Sequence, residues 1–284
     1  MTVVSFVQSE FQARLVRNTL PNSSIVVMPR NNWKYVIDIF LLTYQLLFSL
    51  LINKKVIIFD HRNPLIIISA VFSIFSNASL RNIYVGDDGM HSVLVDKFHD
   101  KFLYWRVKPL KKVLLRLVEN RILNFNRIQS LVEIKRTGDC DTEYRSYFDT
   151  VSCKTRSFKS KNIYIDQPGI LEAMSNSNLQ SFLNDLKKHS DILVLLHPRR
   201  KSSGIFSDAG IPVTQLADTE TEIRSCCPDI SVHGFFSTTL LGAKHWGARI
   251  FLYELPREME DAFKTYGQAC QATIASYPDR VKEI

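Results

Sequence analysis

Two runs of apolar residues restrict the fold of this chain more than any other feature. One is Lys55–Phe59 (Lys-Val-Ile-Ile-Phe) and the other Asp191–Leu196 (Asp-Ile-Leu-Val-Leu-Leu). A strand with one wet face alternates apolar and polar residues; these runs do not alternate. Both faces of each strand must therefore be covered, the condition of a parallel sheet with helices on either side. Each run also empties directly into a polar loop. Asp60-His61-Arg62-Asn63-Pro64 follows the first and His197-Pro198-Arg199-Arg200 the second.

The neighbouring segments fit the same architecture. Val3–Val7 reads as a strand, Glu10–Leu20 as a helix stopped by Pro21-Asn22, and Ile25–Met28 as a second strand. Trp33–Ile52 is the longest apolar stretch. Its length alone would suit a membrane span, but Asp38, Thr43, Gln45 and Ser49 interrupt it and a strand follows at once. It is expected to be a buried helix packed on a sheet. A helix from Pro64 to about Phe75 and a strand at Asn82–Val85 complete a β-α-β-α-β-α-β order, which implies a Rossmann-like half. Asn126–Lys161 is irregular and reads as the interdomain connection, with a strand near Ser130–Ile134 and a helix or turn around Glu143–Tyr147. A second α/β unit then starts. Its expected strands are Asn162–Asp166, Asp191–Leu196, Pro212–Leu216, Ile230–Val232 and Arg249–Tyr253. Its expected helices are Leu171–Lys187, Thr219–Cys227, Leu241–Trp246 and Glu258–Ala275. The expected domains are residues 1–155 and 156–284, two Rossmann-like α/β halves.

The formal charge of +8 is concentrated. Between Lys101 and Arg136 ten basic residues face only Glu119 and Glu133, so that segment carries the whole excess. Within it, apolar Leu110, Val113, Leu114, Leu117 and Val118 recur at helical spacing, with Lys111, Lys112, Arg116 and Arg121 largely opposite. Pro109 divides Lys101–Asn124 into two helical pieces, and such a basic amphipathic stretch, carrying Tyr104 and Trp105, suits either a membrane surface or a solvated face of its own domain. No nucleic-acid-binding motif accompanies the charge. The 5 cysteines form no C-x-x-C pair, and no signal peptide is apparent, so a reducing cytoplasm is expected.

Three strand-end clusters could carry chemistry. Asp87-Asp88-Gly89 follows the strand that ends near Val85. Two adjacent carboxylates repel one another's charge, which favours a proton acceptor of raised pKa; the same residues also make an ordinary polar turn. His197 leaves a buried strand and is followed by Pro198. It can donate to an anionic oxygen or make a structural hydrogen bond. Ser237-Thr238-Thr239 lies near a helix start, where hydroxyls and unpaired backbone N–H groups can bind phosphate or merely cap the helix. No metal-ligand cluster, Walker A sequence, G-x-G-x-x-G or G-x-S-x-G is present.

In this order the motifs Asp87-Asp88-Gly89, His197-Pro198 and Ser237-Thr238 resemble those of bacterial sialyltransferases. The closest likeness is to the lipooligosaccharide sialyltransferases of glycosyltransferase family 52 and the related polysialyltransferases. The resemblance implies a GT-B architecture, two Rossmann-like domains facing across a cleft, and inverting, metal-independent transfer from CMP-sialic acid without a cofactor. It assigns Asp88, or else Asp87, as general base. His197 and Pro198 would meet the CMP phosphate, with Ser237, Thr238 and Thr239 holding the same group. Glu222, with Glu220 in reserve, would bind the cytidine ribose. The acceptor would be a sugar of a lipopolysaccharide, O-antigen or capsule glycan. The enzyme would sit peripherally on the inner face of the cytoplasmic membrane, held through Lys101–Arg121 to anionic lipid, and homodimerisation is left open. Competing expectations are a GT-B transferase with another nucleotide sugar and a non-catalytic membrane-associated glycan-binding protein.

Overall fold

The computed structural model describes residues 3–7, 10–28, 36–52, 54–59, 65, 68, 83–86, 126–128, 140–141, 147–153, 159–197, 200, 202–216 and 218–277. The chain divides into two compact units, Met1–Thr150 and Val151–Ile284. Each is built on one parallel sheet, so the fold is α/β with two Rossmann-like units.

The first unit contains strands β1 (Val3–Val7), β2 (Ser23–Val27), β3 (Lys55–Phe59), β4 (Ile83–Gly86), β5 (Asn126–Ile128) and β6 (Cys140–Asp141). They lie in the order β2-β1-β3-β4-β5-β6, every pairing parallel. Helices α1 (Glu10–Thr19) and α2 (Val36–Leu51) connect the first three strands, and α3 (Tyr147–Thr150) closes the unit. Successive strand residues point to opposite faces. On one face Val4, Phe6, Val56 and Ile58 pack with Leu46 and Leu50 of α2 and with Leu65. On the other, Ser5, Val7 and Ile57 are also buried, and α1 packs along β1 and β2. Both faces are covered, as the unbroken apolar run required.

Three expectations for this unit need correction. The stretch read as a connection contributes β5 and β6 to the sheet; the strand placed at Ser130–Ile134 and the helix expected within Lys101–Asn124 lie outside the described residues. A short helix is present at Tyr147–Thr150, and residues 143–146 of the helix or turn expected around Glu143–Tyr147 lie outside the described residues. Finally, α2 is not buried all round. Leu46 and Leu50 are in the core, whereas Leu41, Tyr44, Phe48 and Leu51 are exposed.

The second unit has strands β7 (Asn162–Ile165), β8 (Ile192–Leu195), β9 (Val213–Thr214), β10 (Ser231–Gly234) and β11 (Arg249–Leu252). Their spatial order is β11-β10-β7-β8-β9, again all parallel. Helices α4 (Asn176–Lys187), α5 (Gly204–Ser207), α6 (Thr219–Cys226), α7 (Thr238–His245) and α8 (Asp261–Ser276) complete it. The single helix expected over Leu171–Lys187 is split. A 3-10 turn spans Leu171–Ala173, Met174 turns extended (ψ 144°), and α4 begins after Ser175.

One face of this sheet carries an aromatic core. The Tyr164 ring has centroids of Phe182, Phe206, Phe235 and Tyr253 within 6.5 Å. Beside it His233 is buried, with Nε2 3.3 Å from Asn162 Oδ1 and Nδ1 3.4 Å from the Tyr253 hydroxyl. Burial, reinforced by the nearby His189, pushes its pKa down to about 4. Protonation must therefore favour the unfolded chain, whose histidine titrates near its ordinary value of about 6.5. The His233 contribution is present above about pH 6.5 and is lost as the pH falls towards 4. Thermal unfolding across that window should show the midpoint falling on acidification, with a shallower fall in His233→Gln.

Candidate functional site

In an open parallel sheet, ligands sit beyond the carboxyl ends of the strands where the connections turn to opposite sides. In the second unit that point lies between β7 and β10: the chain runs from β7 outward through β8 and β9, then returns to β10 and β11. The loops leaving β7, β8 and β10 contain Asp166–Gly169, His197–Arg200 and Phe235–Ser237.

The β7 and β8 exits are tied together by an ion-pair network. Asp166, directly after β7, has a fully buried side chain, and that of Arg200 is 6% exposed. Arg200 donates from Nε and Nη2 to the two Asp166 oxygens, the latter bond being 2.7 Å, and from Nη1 to Glu172 at 2.7 Å. The second Glu172 oxygen accepts from the Gly169 N–H at 2.6 Å. Partial burial opposes the charge on Glu172, but backbone N–H groups and Arg200 outweigh it and hold the carboxyl below its ordinary pKa. Gly169 has φ +91°, a conformation that a side chain would strain. Asp166 Oδ2 also accepts from the His197 N–H at 3.2 Å, and the Arg200 N–H donates to the His197 carbonyl at 2.9 Å. The network thus fixes the backbone on which His197 is mounted. Pro198 lies outside the described residues.

The β10 exit is fixed from behind. Gln271 of α8 donates from Nε2 to the carbonyls of Phe235 (2.9 Å) and Tyr253 (2.7 Å). Phe236 lies against the same helix at Gly267, where a Cβ would meet its ring at 2.6 Å. Gly267→Ala is expected to destabilise by about 1–3 kcal/mol through overpacking, measurable by urea unfolding. Ser237 then caps α7, its Oγ accepting from the Leu240 N–H at 3.1 Å. Because a serine hydroxyl both accepts and donates, the cap leaves its proton for an anion. Thr238 opens the helix, where backbone N–H groups lack intrahelical acceptors. Thr239 donates to the buried Glu220 at 3.4 Å.

The helix carrying both acidic candidates, α6, is capped by Asp218 and packs on α7. Of the two, Glu220 makes the contact with the hydroxyl cluster, while Glu222 is half-buried on the same helix. Gln167, two residues beyond β7, has a buried Oε1 without a hydrogen-bond partner among the described residues, an acceptor open to a donor group. In the first unit β4 ends at Gly86, paired between Phe59 and Ile128. Asp87-Asp88-Gly89 follows it in sequence and lies outside the described residues.

The structure therefore places His197, Ser237, Thr238 and Thr239 at carboxyl ends of strands of one sheet. Sequence reasoning missed the groups that hold them: Asp166, Glu172, Arg200, Gln271 and Gly267. A buried acid ending one strand and a basic residue beyond the next was the only available signal.

No protein-family model matches the sequence, and no curated protein matches it either. Similar solved structures include S. aureus MnaA in its UDP co-structure, with 9% identity, 97% of this chain and 88% of that chain covered, and a TM-score of 0.46. Acinetobacter baumannii MurG has 10% identity, coverage of 96% and 83%, and a TM-score of 0.42. The glycosyltransferase VinC in complex with dTDP has 10% identity, coverage of 98% and 96%, and a TM-score of 0.44.

Proposed function

We propose that this chain is a glycosyltransferase that moves sialic acid from CMP-sialic acid to a terminal sugar of a lipopolysaccharide, O-antigen or capsule glycan. The observation that carries the reading is the His197 mount. A histidine at the end of β8 is held by a buried Asp166–Arg200 pair, in the same sheet whose β10 exit presents Ser237 and Thr238 at a helix start. Such an arrangement suits an oxyanion, and the motif order that includes Asp87-Asp88-Gly89 suits the sialyltransferases.

In this reading Ser237 Oγ–H and the first N–H groups of α7 hold the CMP phosphate. His197 donates to a phosphate oxygen and stabilises the charge that develops as the glycosidic C–O bond breaks. Asp88, or alternatively Asp87, takes the proton from the acceptor hydroxyl as its oxygen bonds to the anomeric carbon of the sialic acid. The acceptor side inverts that centre, CMP leaves, and no metal is required. Glu220 or Glu222 meets the ribose hydroxyls. The basic Lys101–Arg121 segment draws the enzyme to anionic lipid at the inner face of the cytoplasmic membrane.

The test is CMP release from CMP-sialic acid, with and without galactosyl glycans. Acceptor-dependent release that persists in a chelator is expected. No release from this donor, together with turnover of a UDP-sugar, would replace it with a GT-B transferase of other specificity. No turnover of any nucleotide sugar would leave the glycan-binding reading.

A further inference from the structure

The helix α2 poses a packing problem that the candidate site does not solve. Its inward side is settled: Leu46 and Leu50 join the core of the first sheet, and Leu42 packs against it. Its outward side should then be polar. Instead Leu41 (56% exposed), Tyr44 (65%), Phe48 (49%) and Leu51 (63%) face solvent, continued by Ile52 just past the helix end. The spacing i, i+3, i+7, i+10 puts them on one stripe, broken only by the exposed Gln45. Tyr44 and Phe48 stack with ring centroids 6.1 Å apart. Between Leu41 and Ile52 there is no charged residue, and Lys54-Lys55 follows after Asn53. Among the described residues no helix is long and apolar enough to cross a membrane.

We infer that this stripe is a membrane-docking face, on which α2 lies in the plane of an anionic lipid surface. An apolar row with aromatic rings and lysines at its end is the chemistry of an interfacial helix: side chains enter the acyl boundary while basic groups meet headgroups. Charge selects the occupant. A chain of formal charge +8 is attracted to anionic lipid, whereas a second copy carries the same charge and is repelled. The inference is independent of the transferase reading; it shares the basic charge of the Lys101–Arg136 segment, which draws the chain to lipid, and adds to it an apolar insertion that survives salt that screens charge.

Co-sedimentation of the full chain with vesicles tests it. Vesicles of phosphatidylcholine containing about one-third phosphatidylglycerol should bind the protein more strongly than phosphatidylcholine alone, and part of that binding should persist in about 1 M salt. Tyr44→Ser/Phe48→Ser should lower the partition coefficient about tenfold or more while leaving the unfolding midpoint unchanged, since both rings are exposed in the folded protein. Leu41→Gln/Leu51→Gln gives a second, independent variant. Unaltered binding of both variants would overturn the inference, as would complete release by salt, which would assign attachment to charge alone. Absence of vesicle binding together with a dimer that the variants dissociate would assign the stripe to self-association instead.

Discussion

His197→Ala is expected to lower the rate of sugar transfer by about 10²–10⁴-fold, the range for loss of a positioned proton donor or oxyanion partner. The fold should tolerate the change. The loop is tied to β7 by the Arg200–Asp166 pair and by the His197 N–H on Asp166, and the His197 carbonyl accepts from the Arg200 N–H within the loop; alanine keeps all of these. Loss of transfer with an unchanged unfolding midpoint would separate chemistry from architecture. The effect should fall chiefly on kcat, because interaction with the departing phosphate strengthens as the bond breaks. Full activity in His197→Ala would remove the residue from the site.

Breaking the Asp166–Arg200 pair should have the largest effect on stability. Both side chains are almost entirely shielded from water, so Asp166→Ala leaves a buried guanidinium with only the half-exposed Glu172 to offset it, and Arg200→Met leaves a buried carboxylate. Removing one partner of such a pair costs about 3–5 kcal/mol, most of it the desolvation of the group left behind. Removing both need not. Asp166→Leu/Arg200→Met should recover much of the lost stability in urea unfolding, because an apolar pair of suitable volume carries no desolvation penalty. It should not recover transfer, because the His197 N–H would lose its acceptor and the loop its second tether. A double variant that regains stability and activity together would reduce the network to a packing element. Additive single effects would contradict the direct coupling that the geometry requires.

The parts of this structure that could be read from sequence are those with a repeated local signal. The unbroken apolar runs at Lys55–Phe59 and Asp191–Leu196 correspond to β3 and β8, and the parallel pairing they demanded is present in both sheets. The strands β5 and β6, of 3 and 2 residues, hold too few side chains to show any period, and polar neighbours hid them in an apparent connection. The helix after β10 was expected three residues late: the Ser237 cap starts it at Thr238, ahead of the apolar residues that signal a helix. For α2, the near-absence of polar residues suggested burial, but composition cannot reveal that only one side is covered among the described residues.

At the site the same division holds. His197 was legible because a polar residue follows a buried strand immediately. Its supports were not, because Asp166 meets Arg200 across 34 positions and Gln271 meets Phe235 across 36. Glu220 and Glu222 are separated only by which side of α6 faces α7, and the hydrogen bond to Thr239 singles out Glu220. Its replacement by glutamine is accordingly the better probe of a ribose contact.

If the strand ends of the second unit bind the phosphate of CMP, nucleotides will shift the thermal unfolding of the chain selectively. CMP should raise the unfolding midpoint of the wild-type chain more than UDP does, and the rise should be lost in Ser237→Ala/Thr238→Ala and in His197→Ala. Stabilisation by UDP alone, or stabilisation by CMP that survives all of these substitutions, would contradict CMP binding at these strand ends.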